Sequence, residues 1–175
     1  MPTLPIPQRR VLSALPLTAQ AFAPYGDLIE AGSSATHYPI NDGHAERYHD
    51  LARIDTGEGG GRTLLNIFRA RARPLPLALS VMERHCLGSQ AFMPMAQQRF
   101  LVVVAPAGPA PGPDDLRCFV ANPGQGVNYA RGTWHHPLLA IDADCDFLVI
   151  DRGGPGAKDD CDEHPIAAFG LWVEA

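Results

Sequence analysis

An all-β fold, built as a sandwich or closed barrel, is predicted by two features of the sequence. Glycine and proline are both abundant, at 17 each, which favours many short elements joined by turns over a helical bundle. Short apolar runs also recur at turn-punctuated intervals, the pattern of strands in a sandwich or barrel. At 175 residues the chain can bury a real core as one domain over 1–175, and its length does not demand two.

The elements follow in order. Residues 1–10 read as a mobile arm and 11–17 as a first strand. Arg9 and Arg10 followed by 11–23 superficially resemble a secretory leader, but Pro16, Thr18 and Gln20 interrupt the apolar core such a leader needs. Thr18 serves better as the N-cap of a short helical turn over 19–22, closed by Pro24 and Gly26. Residues 27–30 make a short strand that ends at Gly32-Ser33-Ser34. NDGHAERYHDL, 41–51, is unusually polar and reads either as an exposed charged loop or as an extended segment in which Arg47 and His49 share a face. The glycine-rich stretch 57–61 has no lysine and no following helix, so it is a hairpin tip or flexible loop and not a phosphate cradle.

A strand bounded by arginines, RTLLNIFR, occupies 62–69, and Pro74-Leu75-Pro76 then leads into 77–82. The strand 100–105 ends at Pro106, and the linker 107–113 is a proline-glycine loop that places no chemistry. Another strand over 116–121 closes at the turn Asn122-Pro123-Gly124, and 147–151 is a short buried strand. The tail from about 155 to 175 is rich in Asp and Glu up to Pro165, and packs across the barrel or against a partner.

Composition excludes several partners. The net charge is −5, and no basic stripe is available to neutralise a phosphate backbone, which argues against nucleic acid. No run approaches the ~18 apolar residues of a membrane span. Cys86, Cys118, Cys145 and Cys161 fall at wide, irregular spacings without a C-x-x-C, so they indicate neither a zinc site nor a redox motif and read as free thiols of a reducing cytoplasm.

The densest polar chemistry lies in MERHCLGSQAFMP, 82–94, which runs straight into the apolar strand at Phe100. Glu83 and His85 are two apart, so on an extended chain both side chains point to one face. A solvated edge strand with alternating charge would show the same spacing. A second polar constellation, QGVNYARGTWHHPLL over 125–139, favours a site. Cupin barrels carry two ligand motifs, His-x-His followed a few residues on by Glu, and Pro-x-Gly-x-x-His on a later strand. Glu83, His85 and Gln90 fall on the three positions of the first, of which only the middle one keeps its histidine. On the second, Gly132 and His135 match, and Ala130 stands in place of the proline. Glu83, His85 and His135 could therefore form a two-histidine, one-carboxylate metal set with Gln90 as a weak neutral fourth ligand, which suits nickel, manganese or iron better than a structural zinc. The same residues without a metal are a general acid/base set. His136 must point away from His135 if the segment is extended, and reads as a hydrogen-bonded structural histidine.

Five blocks carry a more specific resemblance: APYGD at 23–27, ERYHDLA at 46–52, ERH-x-LGSQAFMPM at 83–95, QGVNYARGTWHHPL at 125–138 and DFLVIDRGG at 146–154. In these the chain resembles the ureidoglycolate lyases, called ureidoglycolate hydrolases in older usage, of purine and allantoin degradation. Cys86 stands where that family usually has proline, and the arm and the proline-glycine linker also differ. The resemblance implies a cupin-like β-barrel of the double-stranded β-helix type with a few short helices, a homodimer, and cleavage of (S)-ureidoglycolate to glyoxylate and urea. It also implies that Ni²⁺ is a possible cofactor.

That substrate is a carbinolamine. Its breakdown needs a base for the hydroxyl, a proton donor for the leaving urea nitrogen and a cation for the carboxylate. Arginine suits a planar carboxylate, which assigns Arg47 or Arg69 to that role, with His49 and Asn128 as further substrate contacts. His135 or Glu83 takes the hydroxyl proton, and His85 with Gln90 serves the urea end or the metal. Two other classes compete: a metal-dependent cupin dioxygenase or isomerase acting on a small carboxylate, and a non-catalytic barrel that binds one.

Overall fold

Short β-forming runs separated by Gly and Pro leave the chain few ways to satisfy its backbone except by pairing strands that are distant in sequence. The computed structural model describes residues 9–174. The first half gives β1 (Arg10–Pro16), β2 (Gly26–Glu30), β3 (His37–Ile40), β4 (Ala45–Tyr48), β5 (Arg62–Ala70), β6 (Leu77–Ala78), β7 (Val81–Arg84) and β8 (Gln90–Pro94). The second half gives β9 (Phe100–Ala105), β10 (Arg117–Ala121), β11 (Gln125–Tyr129), β12 (Trp134–His135), β13 (Leu139–Ala140), β14 (Cys145–Gly153), β15 (Asp162–Pro165) and β16 (Leu171–Glu174). One sheet runs β15-β7-β12-β9-β10-β1-β16-β6, with β13 also on β9, and a second runs β2-β11-β8-β14-β5. The two curl as a half-barrel, an all-β cupin-like fold.

Alternation along β9 shows how the layers form. Phe100, Val102 and Val104 point into the barrel and pack with Phe92, Val127, Tyr129, Phe147 and Val149. Leu101, Val103 and Ala105 point to the other face, where Ile166, Leu171 and Val173 of the C-terminal segment cover them. All six residues of β9 are buried, as expected of a central strand with both faces covered. The tail is thus part of the fold: β15 pairs with β7, and β16 lies between β1 and β6.

Thr18 caps α1 (Ala19–Phe22), its hydroxyl accepting from the Ala21 N–H at 3.2 Å. This turn drops Phe22 into the core against Tyr25, Phe119 and Tyr129. The expected N-terminal arm lies outside the described residues apart from Arg9 and Arg10. Those two are held, Arg9 by Glu174 and Arg10 by Asp114, and β1 starts at Arg10. The polar segment 41–51 is extended in part: Ala45–Tyr48 is a strand that pairs with His37–Ile40 as a separate hairpin, whose tip carries Asn41 and Asp42 at positive φ, residue types that tolerate that region, while His49 lies beyond the strand.

Candidate functional site

Strand register builds the site. Glu83 of β7 lies directly opposite His135 of β12, so the two side chains stand on one face. His85 follows just beyond the end of β7, where its carbonyl accepts the Gly132 N–H at 2.7 Å and ties the two polar segments together. The ligand atoms of Glu83, His85 and His135 all lie within 4.8 Å of one another. The His85 and His135 ring centroids are 5.4 Å apart, and the Tyr129 ring stacks on His135 at 4.2 Å.

Both imidazoles are oriented by a backbone carbonyl. His85 Nδ1 meets the Asp160 carbonyl at 3.1 Å, and His135 Nδ1 meets the Thr133 carbonyl at 3.0 Å. A carbonyl only accepts, so each Nδ1 carries its proton, and in the neutral ring each Nε2 presents a lone pair. Neither buried Nε2 has a hydrogen-bond partner, and nor does the buried Gln90 Oε1. His135 Nε2 is 3.4 Å from Glu83 Oε1. A lone pair facing a carboxylate is repulsive, so the pair calls for a proton or a cation between them.

Burial raises the Glu83 carboxyl. The 3.4 Å contact with His135 and its charge, helped by His85 and His136, outweigh that and hold it below the ordinary glutamate range. Burial, and then the Glu83 charge, push the Tyr129 phenol up, so that it stays protonated. Glu83 also lies near Cys161 and Glu163. Burial and the surrounding carboxylates push the Cys161 thiol up to about 11, so without a metal it stays a thiol at neutral pH. The imidazole side is the better-formed ligand set. Of the adjacent histidines, His135 faces Glu83. His136 is also buried, donates Nδ1–H to the Pro137 carbonyl at 2.8 Å, and has its pKa lowered by burial.

A cavity of about 130 Å³ adjoins the cluster, with His85, Ser89, Gln90, Asp151, Arg152 and Asp160 among its lining. It is well below the roughly 300–1,000 Å³ of drug-sized sites, and suits a ligand of few atoms. The segment after β14 forms one wall and is held there by two contacts, the Asp160 carbonyl on His85 and Asp160 Oδ1 on the Leu87 N–H at 2.6 Å. Burial raises the Asp151 carboxyl, against its polar neighbours Gln90, His85 and Asn66, the last of which donates to it at 2.9 Å. Arg152 is only 7% exposed. Its guanidinium donates to the Glu58 carbonyl at 2.6 and 3.0 Å and to the Pro155 carbonyl at 2.9 Å.

The structure brings Glu83, His85, His135 and Gln90 of the sequence-predicted set to this region and places the others elsewhere. Arg69 sits on the outer face of β5 with its side chain 82% exposed, paired with Asp146 at 2.8 Å. Arg47 is on the separate hairpin, 6.0 Å from the Tyr38 ring, and His49 lines a different depression beside Glu30 and Thr36. Asn128 alternates with Val127 and Tyr129 and so faces away from the barrel interior, donating to Asp27 and to the Arg53 carbonyl at 3.0 Å each. Asp151, Arg152 and Tyr129 are the residues that sequence reasoning did not place in the site. Two of them stood in the DFLVIDRGG block, whose polar end on an apolar strand was the available signal.

The comparisons with known proteins agree with one another. The model of the family described as ureidoglycolate lyase matches residues 9–174. A ureidoglycolate lyase of Burkholderia cepacia is 56% identical over 151 residues, which cover 86% of this chain and 83% of that protein. One from Azotobacter vinelandii is 52% identical over 155 residues, covering 89% and 92%. One from Pseudomonas syringae pv. syringae is 49% identical over 164 residues, covering 94% and 95%. With a family model spanning all of the described residues and relatives near half-identical over most of their own length, the chain belongs to the ureidoglycolate lyase family.

Proposed function

We propose that the protein is a ureidoglycolate lyase that cleaves (S)-ureidoglycolate to glyoxylate and urea. The observation that carries this reading is the convergence of Glu83 with two imidazoles whose Nδ1 atoms are fixed by carbonyls, leaving both Nε2 atoms to act on one small ligand. His135 Nε2 takes the proton of the substrate hydroxyl. The electrons of that O–H bond form the new carbonyl as the carbon–nitrogen bond breaks. A proton returned from the histidine and glutamate set to the leaving nitrogen completes urea, so neither water nor an oxidant is consumed. Glu83 stabilises the imidazolium formed in the first step, and the Tyr129 ring excludes water from its face. Gln90 presents its unpartnered Oε1 as an acceptor for a ureido N–H.

The same donors suit a nickel ion. Glu83, His85 and His135 would hold it, with the Gln90 carbonyl oxygen as a neutral fourth donor. The unpartnered Nε2 and Oε1 atoms are the fit such an ion requires. When bound, it would occupy the His135 Nε2 lone pair and would supply a Lewis-acidic positive charge that acidifies the substrate hydroxyl in place of the histidine base. Incubating the protein with ureidoglycolate should release glyoxylate and urea in equal amounts without ammonia. Ammonia and carbon dioxide would instead mark an amidohydrolase, and oxygen uptake a dioxygenase. Chelation, with metal loss verified by elemental analysis, should lower the rate at least tenfold, and nickel should restore it. An unchanged rate in metal-free protein would leave the acid/base set acting alone.

The active form we infer is a homodimer in the cytoplasm. All four cysteines are free, as a reducing compartment keeps them, and no helix among the described residues is long and apolar enough to cross a membrane. β5 is the edge of its sheet, and Leu65 and Ile67 on it are 69% and 59% exposed. A long apolar edge strand left to solvent invites pairing with another chain, here a second copy. Light scattering should report twice the chain mass for the native protein and the single-chain mass for Leu65→Lys/Ile67→Lys. An unchanged mass for that variant would place the interface elsewhere.

A further inference from the structure

We propose that Arg152 is the substrate's carboxylate anchor, the specificity-determining cation of the cavity. The inference rests on the ureidoglycolate reading and names the group that reading lacks, because Arg47 and Arg69 lie outside the cavity. Arg152 lines the cavity alongside His85, Gln90 and Asp151, and its side chain is more than nine-tenths buried. Its Nη1 is buried without a hydrogen-bond partner. Among the described residues it forms no ion pair; Nε and Nη2 are bound only by the neutral carbonyls of Glu58 and Pro155. A buried guanidinium without a carboxylate is costly, and its free Nη1 suits an incoming anion through a charge-assisted hydrogen bond.

The chain is shaped to keep it there. A Cβ at Gly88 would stand 2.6 Å from Arg152 Cβ, and one at Gly61 would overlap Thr56 O and Arg152 Nε. Both glycines therefore form a cradle that only a bare backbone permits. The loop that supplies the Glu58 carbonyl is pinned by Arg131, which pairs with Asp55 at 2.7 Å and with Glu58 at 2.9 Å. The carboxylates that share the cavity are engaged elsewhere: Asp151 accepts from Asn66 at 2.9 Å, and Asp160 from the Leu87 N–H. With the carboxylate on Arg152, the other end of a short hydroxy acid points toward His85 and the Glu83–His135 pair. The cluster thus divides into a cationic end for the acid and an acceptor-rich end for the hydroxyl and the ureido group.

The test uses two probes of equal size, glycolate and its neutral amide, glycolamide, titrated calorimetrically, together with steady-state turnover of ureidoglycolate. Native protein should bind glycolate at least 30-fold more tightly than glycolamide. Arg152→Gln should lose on the order of 100-fold in glycolate affinity, keep its glycolamide affinity, and show a KM for ureidoglycolate raised by a similar factor. Arg152→Lys, which keeps a charge but not the planar guanidinium that the Glu58 and Pro155 carbonyls hold, should fall between them. It also serves if the glutamine variant fails to fold, and the native glycolate-to-glycolamide ratio needs no variant at all. Equal affinity of native protein for the two probes, or a folded variant with native glycolate affinity and KM, overturns the anchor even while urea release continues. Native protein that releases no urea, yet binds glycolate through Arg152, overturns the lyase reading and keeps the anchor for another hydroxy acid.

Discussion

His135→Ala should lower kcat for urea release by roughly 10²–10⁴-fold, the usual contribution of a positioned general acid/base. The ring is 2% exposed, faces Glu83 across one strand register, stacks on Tyr129, and is fixed by the Thr133 carbonyl. Truncation also strands that carbonyl and opens a small void, at a cost of about 1–3 kcal/mol in stability, so the loss must be read on protein whose circular dichroism and thermal midpoint show a folded barrel. His135→Asn separates the two effects. Its amide can still donate to the carbonyl, but it offers no basic nitrogen, so it should recover most of the stability and little of the rate. Folded variants within tenfold of native activity would remove His135 from the chemistry and pass the hydroxyl proton to Glu83.

What was legible in the sequence divides along the distance over which its causes act. Glu83 and His85 were visible because two-residue spacing on an extended chain fixes a shared face, and Gln90 and His135 because their spacing follows a known ligand pattern. Thr18 was visible because capping is local. Arg152 was not, since what singles it out is that no carboxylate pairs with it among the described residues and that Gly61, Gly88 and the Glu58 carbonyl, all from other segments, hold it. Arg69 misled for the same reason. An arginine at a strand end looks identical whether it awaits a ligand or, as here, meets Asp146 opposite it on the neighbouring strand. The division of the strands into two sheets, and the use of the acidic tail as a cavity wall and an outer cover, likewise depend on pairings between residues far apart in the chain.

Gly26→Ala should cost the protein several kcal/mol, the largest stability loss expected of any one-methyl change near the site. The APYGD block ends its turn at Gly26 with φ +147, a region essentially closed to residues with a side chain. An added Cβ would also overlap the Asn128 carbonyl oxygen and stand 2.9 Å from the Ala130 nitrogen. Both are backbone atoms of the neighbouring strand or the turn after it, so no rotamer change relieves the clash. The strand β2 must then slide or part from β11, and the pair it breaks is Gly26 with Tyr129, whose ring packs on His135. At about 2–4 °C per kcal/mol for a chain of this size, the thermal midpoint should fall by about 10 °C or more. Activity measured well below that midpoint should drop as well, because Tyr129 no longer supports the histidine. A midpoint within about 2 °C of native would show that the strand relaxes freely there, and would detach the glycine from any role in placing Tyr129.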